Sequence, residues 1–235
     1  MNRKKMKKHI PNAITCSNLV SGCIAVVFAL SGNTTMALLW IIIGAGFDFF
    51  DGMSARLLGV SSPIGKELDS LADVVTFGVA PSCIIFSFLA GIHQHFLLLP
   101  FVAFIMAAFS ALRLAKFNLD ERQSTSFIGL PTPANALFWG SLINSLGNWL
   151  ESSPYYIGGV VVMVFVSSDL LVAELPLFAL KFKHWGWKGN EVKYIFVLTA
   201  AAMIACPLLM GYGLIGISAA IAWYVVLSVI TGQRN

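Results

Sequence analysis

The chain has 235 residues, of which 57% are hydrophobic and 11% charged, and its mean hydropathy of +0.81 lies far from soluble composition. This excludes a water-soluble globular domain and points to an all-α, polytopic membrane protein. A net charge of +4 gives no reason to expect nucleic acid as a partner.

A hydrocarbon core of about 30 Å takes roughly 20 apolar residues per helix. Eight candidate spans follow in order, near 15–31, 35–60, 67–92, 96–118, 132–149, 155–174, 193–210 and 212–231. Gly147 to Pro154 and Met210 to Gly213 either separate spans or kink longer helices, so the expectation is six to eight. No repeat or low-complexity linker divides the chain, and residues 1–235 read as a single membrane domain.

Residues 1–10 form a basic segment. No small-residue cleavage pattern follows it, so it reads as uncleaved, a topology determinant that also suits anionic lipid. With the N-terminus in the cytoplasm, Arg3, Lys4, Lys5, Lys7, Lys8, Arg56, Lys66, Arg113, Lys116, Arg122, Lys181, Lys183, Lys188, Lys193 and Arg234 all fall inside, and the opposite loops carry only Glu151. Both termini are then cytoplasmic, in a multi-pass protein of the inner (cytoplasmic) membrane. Cys16, Cys23, Cys83 and Cys206 read as buried small apolar residues. His9, His93, His95 and His184 fall at or outside the membrane edges and carry no assigned chemistry.

The second and third spans hold the unusual residues. Asp48 and Asp51 are three apart and Asp69 and Asp73 four apart, so each pair shares a helix face. Gly59, Ser61, Ser62, Pro63 and Gly65 mark a tight turn between them, which makes the helices antiparallel neighbours. At 1.5 Å per residue, Asp51 lies roughly 10 Å before the second span ends and Asp73 roughly 10 Å after the third begins. Four carboxylates at one depth repel one another and are poorly solvated. Arg56 can neutralise one of them. Divalent cations are the economical answer for the rest, and all-oxygen ligation favours Mg²⁺ or Mn²⁺, as two ions about 3.5–4 Å apart. Gly52 and Ala55 either leave room for a bulky ligand or let helices pack closely.

Asp51, Gly52, Ala55, Arg56, Gly65, Asp69 and Asp73 fit the pattern D-G-x2-A-R-x8-G-x3-D-x3-D without a gap, and in this the chain resembles the CDP-alcohol phosphotransferases. That resemblance implies displacement of CMP from a CDP-linked substrate by an acceptor hydroxyl. It also implies Asp48, Asp51 and Asp69 as metal ligands, Asp73 as the base and a further metal contact, and Gly52, Ala55, Arg56 and Gly65 bordering the CDP. The segments IPNAITCSNLVSGC (10–23), GKELDSLADVVTFGVAPS (65–82), ALRLAKFN (111–118) and GLPTPANA (129–136) look like those of bacterial CDP-diacylglycerol–serine O-phosphatidyltransferases. The substrates implied are CDP-diacylglycerol and L-serine, and the assembly implied is a homodimer, for which Gly44, Ala45 and Gly46 would permit close helix contact.

Serine carries a carboxylate as well as a hydroxyl, so its pocket needs a cation. Arg113, Lys116 and Asn118, at the inner end of the fourth span, are the acceptor-binding candidates. Lys116 stands where the resemblance leads one to expect arginine, which loses the planar fork. Asp169 reads as a partner for Lys181 or Lys183. A sister enzyme using glycerol 3-phosphate or inositol would share the acidic motif, whereas an ion-coupled transporter would place its carboxylates near the midplane in repeated halves.

Overall fold

The structure is a computed structural model that describes residues 3–60, 62–92, 97–120, 127–178, 186–187 and 189–232, with backbone alone for residues 3–8, 127 and 232. Arg122, Lys181, Lys183, Lys188, Arg234, His93, His95, His184 and the side chains of Arg3, Lys4, Lys5, Lys7 and Lys8 lie outside the described residues. Helices dominate. In chain order they are α1 (Arg3–Leu30), α2 (Thr34–Leu58), α3 (Pro63–Asp73), a π-helical segment (Val74–Val79), α4 (Ala80–Ile92), a 3₁₀ turn (Leu99–Ala103), α5 (Phe104–Leu119), α6 (Thr132–Leu150), α7 (Pro154–Val172), α8 (Glu191–Leu209) and α9 (Ile215–Gly232). α3, the π segment and α4 run on without a break, so among the described residues the eight expected spans appear as eight rods.

Both doubtful connectors separate helices. α6 ends at Leu150 and α7 starts at Pro154 behind Ser153, whose side chain accepts from Tyr155 N; α8 and α9 are parted at Gly211 and Gly213, both with positive φ. The first helix starts well before residue 15, at Arg3, since lysine and arginine are good helix formers.

Six of the described helical stretches are long and apolar enough to cross a membrane: His9–Leu30, Thr34–Leu58, Pro63–Ile92, Leu99–Leu119, Pro154–Val172 and Glu191–Leu209. α6 is as long but more polar, and it spends that polarity inside the molecule: Trp139 Nε1 donates to Ser167 Oγ (3.0 Å), and Ser218 Oγ donates to Phe138 O (2.8 Å). Trp139, Phe77, Leu38, Ile41, Ile84, Leu89 and Met106 fill the interior. Large apolar side chains such as Val27, Val162 and Leu198 stand on the outside, as a lipid solvent allows.

Cys83 is buried as expected. Cys16, Cys23 and Cys206 are exposed instead, because an apolar residue in a membrane helix satisfies its environment equally well facing lipid.

Local chemistry sets the turn that brings α2 beside α3. Gly59 adopts φ +59° and closes α2 through its N–H to Arg56 O (3.2 Å), with Val60 N bonded to Ala55 O (3.0 Å). Ser62 then caps α3, accepting from Gly65 N (3.0 Å), with Pro63 in the first turn. Phe127–Ile128 and Pro176–Leu177 form a two-residue antiparallel ladder, an addition to the all-helical expectation. It ties the connection after α5 to the one after α7. Lys66 Nζ donates to Asn118 O (2.6 Å), so the α2–α3 turn, the end of α5 and the ladder all lie at one end of the bundle.

Candidate active site

Asp48, Asp51 and Asp69 converge at that end, each offering a carboxylate oxygen within 4.8 Å of the others. At an effective dielectric near 20, three like charges this close repel by roughly 10 kcal/mol in all, comparable with the whole stability of a domain. Protein donors offset only part of this. Thr15 Oγ1 donates to Asp51 Oδ2 (2.6 Å), whereas Asp69 Oδ1 is buried with no hydrogen-bond partner. Arg56 does not fill the gap: it is exposed, its Nε donates to Gly52 O (3.0 Å), and it makes no ion pair with the carboxylates among the described residues. An oxygen cluster of this span with an orphaned buried oxygen fits a divalent cation.

Asp73 stands outside the group of three and is buried. Asn18 Nδ2 donates to its Oδ1 (3.0 Å), and it is close enough to Asp48, Asp69 and Asp51 to feel their charge.

Beside the acids lies a cleft of about 270 Å³, lined by Pro11, Asn12, Thr15, Asp51, Gly52, Ala55, Val60, Ser62, Gly65, Lys66 and Asp69. Gly52, Ala55 and Gly65 therefore border it, and a Cβ on Gly52 would meet nothing within 4 Å, so its small size leaves open space rather than a helix contact. Arg56 is not in the lining. The α1 wall, Pro11 to Thr15, and Lys66 escaped the sequence reading. The segment IPNAITCSN carried the signal, but nothing in α1 alone says which face meets Asp51.

The acceptor candidates separate. Arg113 is 7% exposed, with its guanidinium 5.9 Å from the centre of the Phe117 ring and its Nε without a hydrogen bond. Asp73 lies within its electrostatic reach. Arg113 and Lys116 line a small cavity of about 40 Å³ with Asp120, Ile128, Leu171, Val172 and Glu174. Asn118 Nδ2 donates to Ser70 Oγ (2.8 Å), which ties α5 to α3. Asp169 is exposed. Gly44 is also used within the chain: a Cβ there would lie 2.6 Å from Thr76 Cγ2 and 3.0 Å from Asn18 Oδ1, so it is not a free surface for a second copy.

A family model described as CDP-alcohol phosphatidyltransferase matches residues 8–167. The chain is 42% identical over 129 residues to a CDP-diacylglycerol--serine O-phosphatidyltransferase of Bacillus subtilis (53% of this chain, 70% of that one). It is 32% identical over 197 residues to one of Helicobacter pylori (83% and 80%), and 31% identical over 172 residues to the archaetidylserine synthase of Methanothermobacter thermautotrophicus (72% of each). The matched stretch takes in the acid cluster, the cleft and every helix that lines them, and on that ground the chain belongs to the CDP-alcohol phosphatidyltransferase family.

Proposed function

We propose that residues 1–235 act as one membrane-embedded enzyme that transfers the phosphatidyl group of CDP-diacylglycerol to the hydroxyl of L-serine, giving phosphatidylserine and CMP. The observation that carries it is the convergence of three carboxylates within 4.8 Å beside a cleft bordered by glycine and alanine. Two of the relatives above are serine O-phosphatidyltransferases and the third an archaetidylserine synthase, which supports serine over glycerol 3-phosphate or inositol.

Asp48, Asp51 and Asp69, with Asp73 as a further contact, would hold Mg²⁺ or Mn²⁺ as a two-ion site. When bound, the cations neutralise the diphosphate and the charge that develops on the departing CMP. The other steps belong to the chain. Gly52, Ala55 and Gly65 give the nucleotide room against the backbone, and Lys66 adds positive charge at the cleft wall. Arg113 receives the serine carboxylate and so sets the hydroxyl near Asp73. Asp73 takes the hydroxyl proton as the serine oxygen bonds to the lipid phosphorus and the phosphorus–oxygen bond to CMP breaks. Holding the partners in line does much of the remaining work.

The site faces the cytoplasm from the inner leaflet, where serine arrives from water and the acyl chains stay in lipid. Assembly as a homodimer belongs to the same proposal and is tested by the mass of the detergent-solubilised protein. The deciding experiment is CMP release by purified protein given CDP-diacylglycerol, Mn²⁺ or Mg²⁺, and either serine or glycerol 3-phosphate. Release with serine is expected. Release with glycerol 3-phosphate alone moves the chain to a sister activity, and ion flux without CMP release favours a transporter.

A further inference from the structure

Asn18 is completely buried and is not among the residues that line the cleft. Its side chain nevertheless bridges 55 positions of sequence to reach Asp73 Oδ1. Its backbone is held from the same side: Thr76 Oγ1 donates to Asn18 O (3.0 Å), and Thr76 is fully buried too. Two glycines make this approach possible. A Cβ on Gly22 would lie 2.8 Å from Thr76 Cα and 2.9 Å from its N, and one on Gly44 would press on Thr76 Cγ2 and Asn18 Oδ1 together. Backbone cannot give way at such distances as a flexible side chain can.

The local helix form matters here. The π segment begins at Val74, the residue after Asp73, and closes with Ala80 N–H bonded to Val75 O, five residues back. A π stretch interrupts the α-helical register and recurs at functional sites. Here the interruption lies between Asp73, on the acid face, and the continuation of the span in α4, and it seats Thr76 against the backbone of α1.

We propose that Asn18 is a positioning residue for Asp73, held in place by Thr76 of the π segment docked in the notch that Gly22 and Gly44 leave open. The proposal rests on the reading of Asp73 as the base. An amide N–H donates and cannot accept, so its bond engages one lone pair of Oδ1 and leaves Oδ2 the freer oxygen for the serine hydroxyl. The interlock thus fixes the orientation of the Asp73 carboxylate without contact between Asn18 and substrate.

The test is steady-state CMP release by Asn18→Leu, Thr76→Val and the double variant, with thermal stability and Mn²⁺ binding measured on the same preparations. Misplacing a reacting group by about 1 Å costs up to 100-fold. Asn18→Leu is expected to lower kcat on the order of 10- to 100-fold, with KM for CDP-diacylglycerol and for serine within about 2-fold. Thr76→Val lowers kcat less. The double variant is no worse than Asn18→Leu, because Thr76 acts through Asn18. Mn²⁺ still binds through Asp48, Asp51 and Asp69, so its affinity falls far less than kcat does. An unchanged kcat in Asn18→Leu, a raised KM at full kcat, or additive losses in the double variant would each overturn the proposal. Should Asn18→Leu fail to fold, Asn18→Ser, a smaller residue with a hydroxyl donor, is read for the same split. If the unaltered protein releases no CMP, the functional reading itself has failed, an outcome distinct from all of these.

Discussion

Asp51 and Asp69 present opposite cases of how a buried charge is carried. Asp51 has Thr15 as a donor; Asp69 has an oxygen with no partner. Replacing either by asparagine keeps the shape and removes one of the three mutually repelling charges. Asp51→Asn and Asp69→Asn are therefore expected to lose turnover by at least ~100-fold, yet to melt, free of metal, at or above the temperature of the unaltered protein. Adding Mn²⁺ should raise the melting temperature of the unaltered protein, since a ligand bound only by the folded state stabilises it, and should raise that of the variants much less. A thermal-shift series in Mn²⁺, with CMP release on the same samples, checks both halves. Full activity in both variants would remove the metal assignment, and so would a metal shift that the variants share.

At the scale of elements, the α2–α3 turn decides whether the two acid pairs meet. Gly59 holds φ +59°, a conformation that costs other residues roughly 1–2 kcal/mol. Gly59→Ala is expected to lower the melting temperature by several degrees. Gly158→Ala, at an exposed position in α7 where a Cβ meets nothing, should hold or raise it by helix propensity; circular dichroism melts in detergent separate the two, and equal effects would mean that the turn geometry is not what Gly59 supplies. This turn was legible in the sequence, because glycine, serine and proline act on their own neighbours. So were the acids, whose spacing fixes a helix face before any partner is known. The α1 contributions were not. Thr15 and Asn18 matter only through which side of α1 meets α2 and α3, and that depends on Gly22 and Gly44 fitting Thr76 across three elements. The π segment was hidden for the same reason, since VVTFGV reads as ordinary apolar helix. Arg56 shows the converse: adjacency in the motif suggested an ion pair, and a bond to Gly52 within its own helix took the guanidinium elsewhere.

For the whole molecule, the side of the membrane that the acid end faces is predicted by the distribution of charge between the two ends of the bundle. The Lys66–Asn118 bond and the ladder between Ile128 and Pro176 place the cleft, the end of α5 and the connection after α7 at one end of the bundle. Asn144 Nδ2, donating to Thr35 Oγ1 (2.7 Å), ties α6 to the start of α2 at the other. Among the described residues Arg56, Lys66, Arg113 and Lys116 collect at the first end, so the positive-inside rule predicts a cleft that opens to the cytoplasm. Cysteines introduced singly into a cysteine-free variant report this directly. Ser31→Cys and Ser152→Cys, both at exposed turns of the far end, should react with a membrane-impermeant maleimide added to spheroplasts. Val60→Cys, in the cleft lining, should react only after the membrane is opened, and CMP with Mn²⁺ should then slow its labelling. The reverse pattern would turn the cleft outward, away from cytoplasmic serine, and labelling of Val60→Cys that CMP leaves unchanged would detach the nucleotide from this cleft.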